Sequence, residues 1–358
     1  MRFTLSVWRF ASSAFTVSFD PRNILVIDFG QLGDVVLSLP ALQAIRTRFP
    51  HARVTVAVGR AAAPVVEMSG HADETLAVDR VGLRDGPKTL SLWQIMGLVR
   101  NVRRSKYDFV IDLHSLSETN LLGYLSGAHH RLFSRRPGRS LDFLSKFRER
   151  PPVEDRTKHA VDRYLDVLAP LGVGKISRVP RLRPRDEDNQ HVEQLLRKAR
   201  AESDAPLVGI FPGAGHASRR WPVERFGELA RRLEGNDGVR VVLFAGPEER
   251  AMLAEVRAQF PPSTIVFDRL TVPQLAAAQA RLAVFVSNDT GPMHIAAAVG
   301  TPVVILMATH PMLKCYVPPG NRHRVIHGRD IMNISVDDAY AATRAVLTAE
   351  RMGSIFSR

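Results

Sequence analysis

The sequence predicts an α/β protein: two doubly wound parallel-sheet domains facing a cleft between them. Three observations predict it. Asn23 to Phe29 (Asn-Ile-Leu-Val-Ile-Asp-Phe) and Leu282 to Val286 are near-continuous apolar runs, the pattern of strands buried on both faces. Each run ends in a glycine-containing turn that opens a helical segment. The strand–helix order also runs once through the first part of the chain and starts again at Leu207.

The elements follow in order. After the first strand, Gly30 to Asp34 is a turn, and Val35 to Phe49 is a helix with Val36, Leu39, Leu42, Ile45 and Phe49 on one stripe. Arg53 to Val58 is a strand, Leu90 to Arg104 an amphipathic helix and Phe109 to Leu113 a further strand. Val179 to Asp188, rich in proline and charge, is the linker. Beyond it, Leu207 to Phe211 is a strand, Pro212 to Gly215 a turn, and Val223 to Leu233 a helix opened by Pro222. Val239 to Phe244, Thr264 to Phe267, Leu282 to Val286 and Val303 to Met307 are strands, with helices ending at Phe260 and Ala280 between them. The last helix, Ser335 to Arg351, has a serine N-cap with Asp337 and Asp338 in its first turn. The expected division is therefore an extension at residues 1–22, domains at 23–180 and 181–334, and a terminal helix at 335–358.

Composition narrows the function classes. A chain of 358 residues, 45% hydrophobic and 24% charged, carries enough apolar residues for two cores and is not a disordered protein. Its single cysteine, Cys315, excludes an internal disulfide and a thiolate metal cluster, and suits a reducing compartment. The formal net charge of +13 favours a polyanionic partner: nucleic acid, an anionic membrane surface or a phosphorylated substrate. No apolar run approaches the ~20 residues that cross a bilayer. Met1 to Asp20 lacks the unbroken apolar core of a secretory signal and reads as an extension before the first strand, with a weak membrane contact or a plain tail as its two readings.

The candidate chemistry lies in the turns. Asp289-Thr290-Gly291 through His294 ends a buried strand and opens a helix, so free backbone N–H groups and the positive end of a helix dipole make an anion site there. Asp289 for hydroxyls and His294 one turn in complete a cradle suited to a sugar diphosphate; a capped helix with a core histidine is the plainer reading. Gly213, Ala214 and Gly215 end another buried strand, where small residues admit a ligand to the backbone or simply make a tight turn. Arg219 and Arg220 follow, placed either to neutralise a diphosphate or as ordinary surface arginines. Gly30 to Asp34 lacks the spacing of a dinucleotide fingerprint. Asp34 caps the next helix or serves as a general base at the cleft, and the residues alone favour capping. Asp186-Glu187-Asp188 superficially matches an Asp-x-Asp metal site but sits in a charged linker, so it reads as a helix N-terminus. No His, Cys and Asp set has metal-ligand spacing, and no metal or cofactor is expected. His129 to Arg150, basic with interleaved Phe133, Phe143 and Phe147, reads as a flexible loop that is either merely solvated or contacts an anionic glycolipid or bilayer. No nucleic-acid reading motif is present.

Taken in order, Ile24-Leu25-Val26-Ile27 with Leu32-Gly33-Asp34-Val35-Val36 and Leu39-Pro40-Ala41-Leu42, Tyr107-Asp108 with Val110-Ile111-Asp112-Leu113, and His159 to Tyr164 form one set of motifs. Pro212-Gly213-Ala214, Arg220-Trp221-Pro222, Gly246-Pro247-Glu248-Glu249, Asp289 to His294, and Thr309 with Pro311 continue it. The ordered set resembles glycosyltransferase family 9, the ADP-heptose:lipopolysaccharide heptosyltransferases, over Asn23 to Ala349. The resemblance implies a GT-B fold of two Rossmann-like domains, the last helix crossing back onto the first. It implies inverting, metal-independent transfer of a sugar, most simply heptose from ADP-heptose, onto an anionic glycolipid of the lipopolysaccharide core. The enzyme would be cytoplasmic and peripheral at the inner face of the inner membrane. It makes Asp34 the base, reversing the preference for capping. Arg219 falls where the family usually has a phosphate-binding lysine; Thr290, Gly291 and His294 would hold the diphosphate, Asp289 the sugar or phosphate region, and Glu249 the ribose. Arg219 itself, Met307 in place of glycine and Glu118 in place of a basic residue depart from the family pattern, which leaves open another donor sugar or acceptor. A catalytically silent nucleotide- or nucleic-acid-binding protein of the same fold is the competing class.

Overall fold

A computed structural model describes residues 19–79, 88–199, 205–310 and 313–356. Most of the 1–22 extension, and Pro311 of the last motif, lie outside the described residues. The first sheet holds β1 (Asn23–Asp28), β2 (Arg53–Gly59), β3 (Glu74–Val78), β4 (Phe109–Asp112) and β5 (His130–Phe133) in the order β3-β2-β1-β4-β5. The second holds β6 (Leu207–Phe211), β7 (Arg240–Phe244), β8 (Ile265–Phe267), β9 (Val284–Asn288), β10 (Val303–Ala308) and β11 (Arg324–Gly328) in the order β11-β10-β9-β6-β7-β8. All strand pairs are parallel. Each sheet is thus doubly wound, with one point where the strand order reverses: between β1 and β4 in the first, between β6 and β9 in the second. The expected architecture is present.

The apolar runs explain the register. β1 is buried from Ile24 onward, flanked on both sides, and β9 is buried along its whole length. The helix after β1, α1 (Leu32–Arg48), buries Leu37, Ser38, Pro40, Ala41 and Ala44 as well as most of its expected stripe. A helix that is buried nearly all round lies between two layers. One layer is the first sheet. The other is the helix Gly291–Ala298 of the second half, whose Ile295 and Ala298 share a core with Val36, Leu39 and Ile45.

Three expectations need correction. The stretch His129 to Arg150 is not a loop. It contains β5, Arg131 bridges Lys146, Phe133 is fully buried, and the Phe147 ring stacks on Phe109 at 5.4 Å between centroids. Only Phe143 of its three aromatic residues is exposed. Charge masked a short apolar edge strand. β3 and β11, with partly exposed residues and little apolar content, were also not legible. Finally, the helix Val336–Phe356 was expected on the first domain, but among the described residues its larger contacts are with the helix Val223–Asp237 and strands β9 to β11. Ala339, Val346 and Leu347 enter the second core, and Arg344 and Arg351 both bond Asp237. The helix follows its apolar face, and that face matches the second sheet.

The helix Val223–Asp237 meets its neighbour so closely that a β-carbon at Gly227 would collide with the Gln259 carbonyl oxygen. Gly227→Ala should cost about 1–3 kcal/mol in urea unfolding, because a backbone atom cannot rotate away. An unchanged midpoint would show that the two segments part freely.

Candidate functional site

The two reversal points face each other. At the first, β1 and β4 end in Asp28 and Asp112; at the second, β6 and β9 end in Phe211 and Asn288. The turns that follow carry nearly every residue singled out from the sequence. The N-termini of α1 and of the helix Gly291–Ala298 meet there in close contact. A β-carbon at Gly33 would lie 2.6 Å from Cδ2 of His294, and one at Gly291 would lie 3.3 Å from Cδ2 of Leu32. Glycine is required at Gly33 for space, not for backbone angle.

Asp34 stands in the first turn of α1, and its Oδ2 accepts the Gln31 N–H at 3.1 Å. The capping reading is therefore real. The same bond fixes the carboxylate at the mouth of the cleft, and its charge reaches Asp289 on the opposite side.

On the second side, Asp289 is held by Arg219, with Nη1 3.1 Å from Oδ2. Their side chains are 10% and 51% exposed, so a buried carboxylate is paired with a half-exposed guanidinium. Burial pushes the Asp289 carboxyl up and Asp34 adds to this, while the Arg219 charge pulls it down. Ala214 is buried, and its carbonyl accepts from Arg220 Nε at 2.9 Å. Gly213 has no room for a β-carbon, which would strike Oε1 of Glu249. Glu249 is itself buried, and its Oε2 accepts the Gly246 N–H at 2.9 Å. Gly215 is exposed with open space around it, so it lies at the rim. Thr290 is the extended N-cap of the helix and makes no side-chain cap bond, and Gly291 is its first residue.

His294 is placed differently from expectation. It is 6% exposed, wedged against Gly33, and its Nδ1 has no hydrogen-bond partner. Burial, with His159 and His323 nearby, pushes its pKa down to about 3, so the ring is neutral at pH 7. It can offer a hydrogen bond but no positive charge.

Sequence reasoning missed the residue that organises this side. Asn288, fully buried, accepts the Trp221 N–H at 3.0 Å and donates to the carbonyls of Pro212 at 2.7 Å and Gly213 at 3.3 Å. It ties both ends of the connection between β6 and the helix Val223–Asp237 to the end of β9. A polar residue ending an otherwise apolar strand was the available signal.

The first side holds a buried polar network that was also missed. Asp112 accepts the Ser115 N–H and the Asn120 side-chain amide, each at 2.7 Å. Burial pushes its carboxyl up to about 7 against those bonds. Ser115 has φ +44°, a left-handed conformation that is rare for serine, and its Oγ accepts the Ser134 N–H at 2.8 Å. Asp28 accepts the Gly30 N–H at 3.0 Å and is raised by burial and by Asp34. Arg136 and Arg163 both approach Glu154, at 3.2 and 3.3 Å, so two largely buried cations share one carboxylate. Glu118 is exposed in the first turn of the helix Ser117–Leu125. Among the described residues, no group of three or more His, Cys, Asp or Glu is arranged to share a metal ion.

The buried histidine gives a signed pH dependence. The folded ring stays neutral down to about pH 3, whereas the unfolded ring protonates near 6.5. Stability should therefore fall as pH drops from 6.5. Asp112 acts oppositely, losing stability as pH rises from 3.8 towards about 7. In urea unfolding at pH 7 and pH 5, His294→Gln should lose less stability on acidification than the parent chain. Parallel losses would mean that the ring is not buried neutral.

Comparisons with known proteins agree with this geometry. The model of glycosyltransferase family 9 (heptosyltransferase) matches residues 95–334. Lipopolysaccharide heptosyltransferase 3 of Escherichia coli is 25% identical over 284 residues, which cover 76% of this chain and 80% of the relative. The crystal structure of a family 9 glycosyltransferase from Veillonella parvula superposes with a TM-score of 0.80 at 26% identity, covering 92% of this chain and 98% of that one. An E. coli heptosyltransferase solved with ADP-2-deoxy-2-fluoro heptose gives 0.69 at 21% identity, over 90% and 99% of the two chains. With its two facing doubly wound sheets and a family match across most of its length, this chain belongs to glycosyltransferase family 9.

Proposed function

We propose that the chain transfers heptose from ADP-heptose to a lipopolysaccharide core acceptor, with inversion, without a metal and with Asp34 as the base. The observation that carries this reading is the pairing across the cleft: a fixed carboxylate on one helix N-terminus, an arginine-held anion site on the other. The acceptor hydroxyl attacks the anomeric carbon, its proton passes to Asp34, and the bond from that carbon to the diphosphate oxygen breaks. Asp34 needs no redirection, because its capping bond already sets its direction. The departing diphosphate gains charge, which the Thr290–Gly291 backbone, the helix dipole and the Arg219 guanidinium stabilise. Arg219 is engaged by Asp289; an arriving diphosphate would take over that guanidinium. His294 would donate a hydrogen bond only. Glu249, packed beneath Gly213, would define the wall that meets the ribose.

The relatives' activities and the ADP-heptose analogue in a protein of the same fold support this donor. Arg219, Met307 and Glu118 favour a branch with a different sugar or acceptor as the second reading. The proposed place of action is the cytoplasmic face of the inner membrane, on an anionic glycolipid, with no specific nucleic acid involved. No helix among the described residues is long and apolar enough to cross a membrane.

Asp34→Asn should lower turnover roughly 10²–10⁴-fold while leaving the thermal shift by ADP unchanged. Retained turnover would remove Asp34 as base. Arg219→Ala should lower turnover roughly 10²-fold and weaken ADP binding as well. A thermal-shift panel of ADP, GDP, UDP, CMP and dTDP in EDTA should show stabilisation by ADP and full turnover of ADP-heptose. Stabilisation by a different nucleotide would move the donor, and a loss of turnover in EDTA that a divalent cation restores would overturn metal independence.

A further inference from the structure

The helices Lys88–Arg104 and Ser117–Leu125 cover the face of the first sheet opposite α1. Their inner sides supply Val102 and Leu122 to a core with Leu25, Ile27 and Val110. Their outer sides are unusual. Among the described residues ten large apolar side chains are exposed, and six of them lie on these helices or on the adjoining turn Asp142–Leu144: Trp93, Ile95, Met96, Leu121, Tyr124 and Phe143. Trp93 is 68% exposed and Phe143 69%. The helix Ser117–Leu125 touches both the helix Lys88–Arg104 and the turn Asp142–Leu144, so these side chains gather on three neighbouring segments of one half. Nothing in the fold requires a tryptophan in water, and a clustered apolar patch marks a contact surface.

The charge around the patch identifies what it contacts. Arg100, Arg103 and Arg104 are exposed on the first helix. The Arg131 guanidinium sits 5.3 Å above the Tyr124 ring, and the Arg139 carbonyl accepts the Ser117 hydroxyl, which brings the 135–150 segment alongside. Asp142, the acid beside Phe143, is already approached by Arg135 and Arg150. Aromatic rings with one polar edge, set among arginines, match the boundary between anionic headgroups and acyl chains. A protein partner would need acidic complementarity across the whole patch, whereas an anionic bilayer supplies it everywhere.

We propose that this face is the docking surface for an anionic phospholipid bilayer, with Trp93 and Phe143 inserted and the arginines at the headgroups. The helix Ser117–Leu125 starts just beyond the carboxyl end of β4, the sheet edge that also carries the Asp34 turn. A chain docked this way holds the acceptor side of the cleft next to the membrane. The proposal rests on the transferase reading only in taking a lipid-borne acceptor; the test uses neither donor nor acceptor, so the two can fail separately.

The test is co-sedimentation of the full chain with vesicles of phosphatidylcholine alone or mixed equally with phosphatidylglycerol. Binding is expected on the mixed vesicles, weakened by salt, with a blue shift in tryptophan emission that Trp93→Phe abolishes. The pair Trp93→Ser and Phe143→Ser should lower affinity roughly tenfold or more. Arg103→Glu with Arg104→Glu should lower it chiefly at low salt. Both variants change exposed positions, and an unchanged melting temperature verifies that they fold. The proposal is overturned if mixed vesicles do not bind the chain, or if binding survives both variants. It is also overturned if the patch instead closes a dimer that Trp93→Ser dissociates, or holds duplex DNA more tightly than lipid.

Discussion

The close approach of two helix N-termini is the constraint on which the site depends. α1 and the helix Gly291–Ala298 bring the positive ends of two dipoles together, an arrangement that repels unless negative charge sits between them. Asp34 and Asp289 supply that charge. Two carboxylates near each other are themselves unfavourable, and Arg219 offsets part of that. Under the proposed function, a ligand with two negative phosphates would enter this balance through Arg219. Packing sets the spacing, because Gly33 and the neutral His294 ring admit no extra atom between the helices.

Much of this was legible in the sequence, and the reason is burial. β1, β4, β6, β9 and β10 are covered on both faces, so their apolar runs are unbroken, and the turns at their ends stand out. β3, β5 and β11 lie at or near sheet edges with exposed residues, and there the pattern fades. Asp34, Asp289 and Arg219 were legible as residue types in turns, but not that two of them share an ion pair across seventy positions. The neutrality of His294 depends on what surrounds it in space. The destination of the last helix depended on matching two surfaces, which periodicity along one helix does not encode.

The first reversal point differs in kind from the second. Its strands end in Asp28 and Asp112, both buried and both shifted towards protonation, while those of the second end in Phe211 and Asn288. Asn288 satisfies its loops without a charge. The first side instead stores carboxyl groups behind a serine in a left-handed turn, with Arg136 and Arg163 sharing Glu154 close by. Such a network is costly to leave half satisfied, so it fixes the loops after β4 and β5 tightly. Rigidity is thus built into the first side by a charged network and into the second by a single amide.

The path of the last helix has a mechanical meaning. Because Val336–Phe356 stays on the second half, the described chain passes from one half to the other once, through the segment before Asp186. A body joined by one tether pivots, whereas a second covalent crossing would restrict it to sliding or shear. The segment around Cys315 to Val317, which touches Arg156, Thr157 and His159, then works as a detachable latch rather than a strap. Opening would break that latch and uncover the α1 seam together, so the two halves would part as a clasp does.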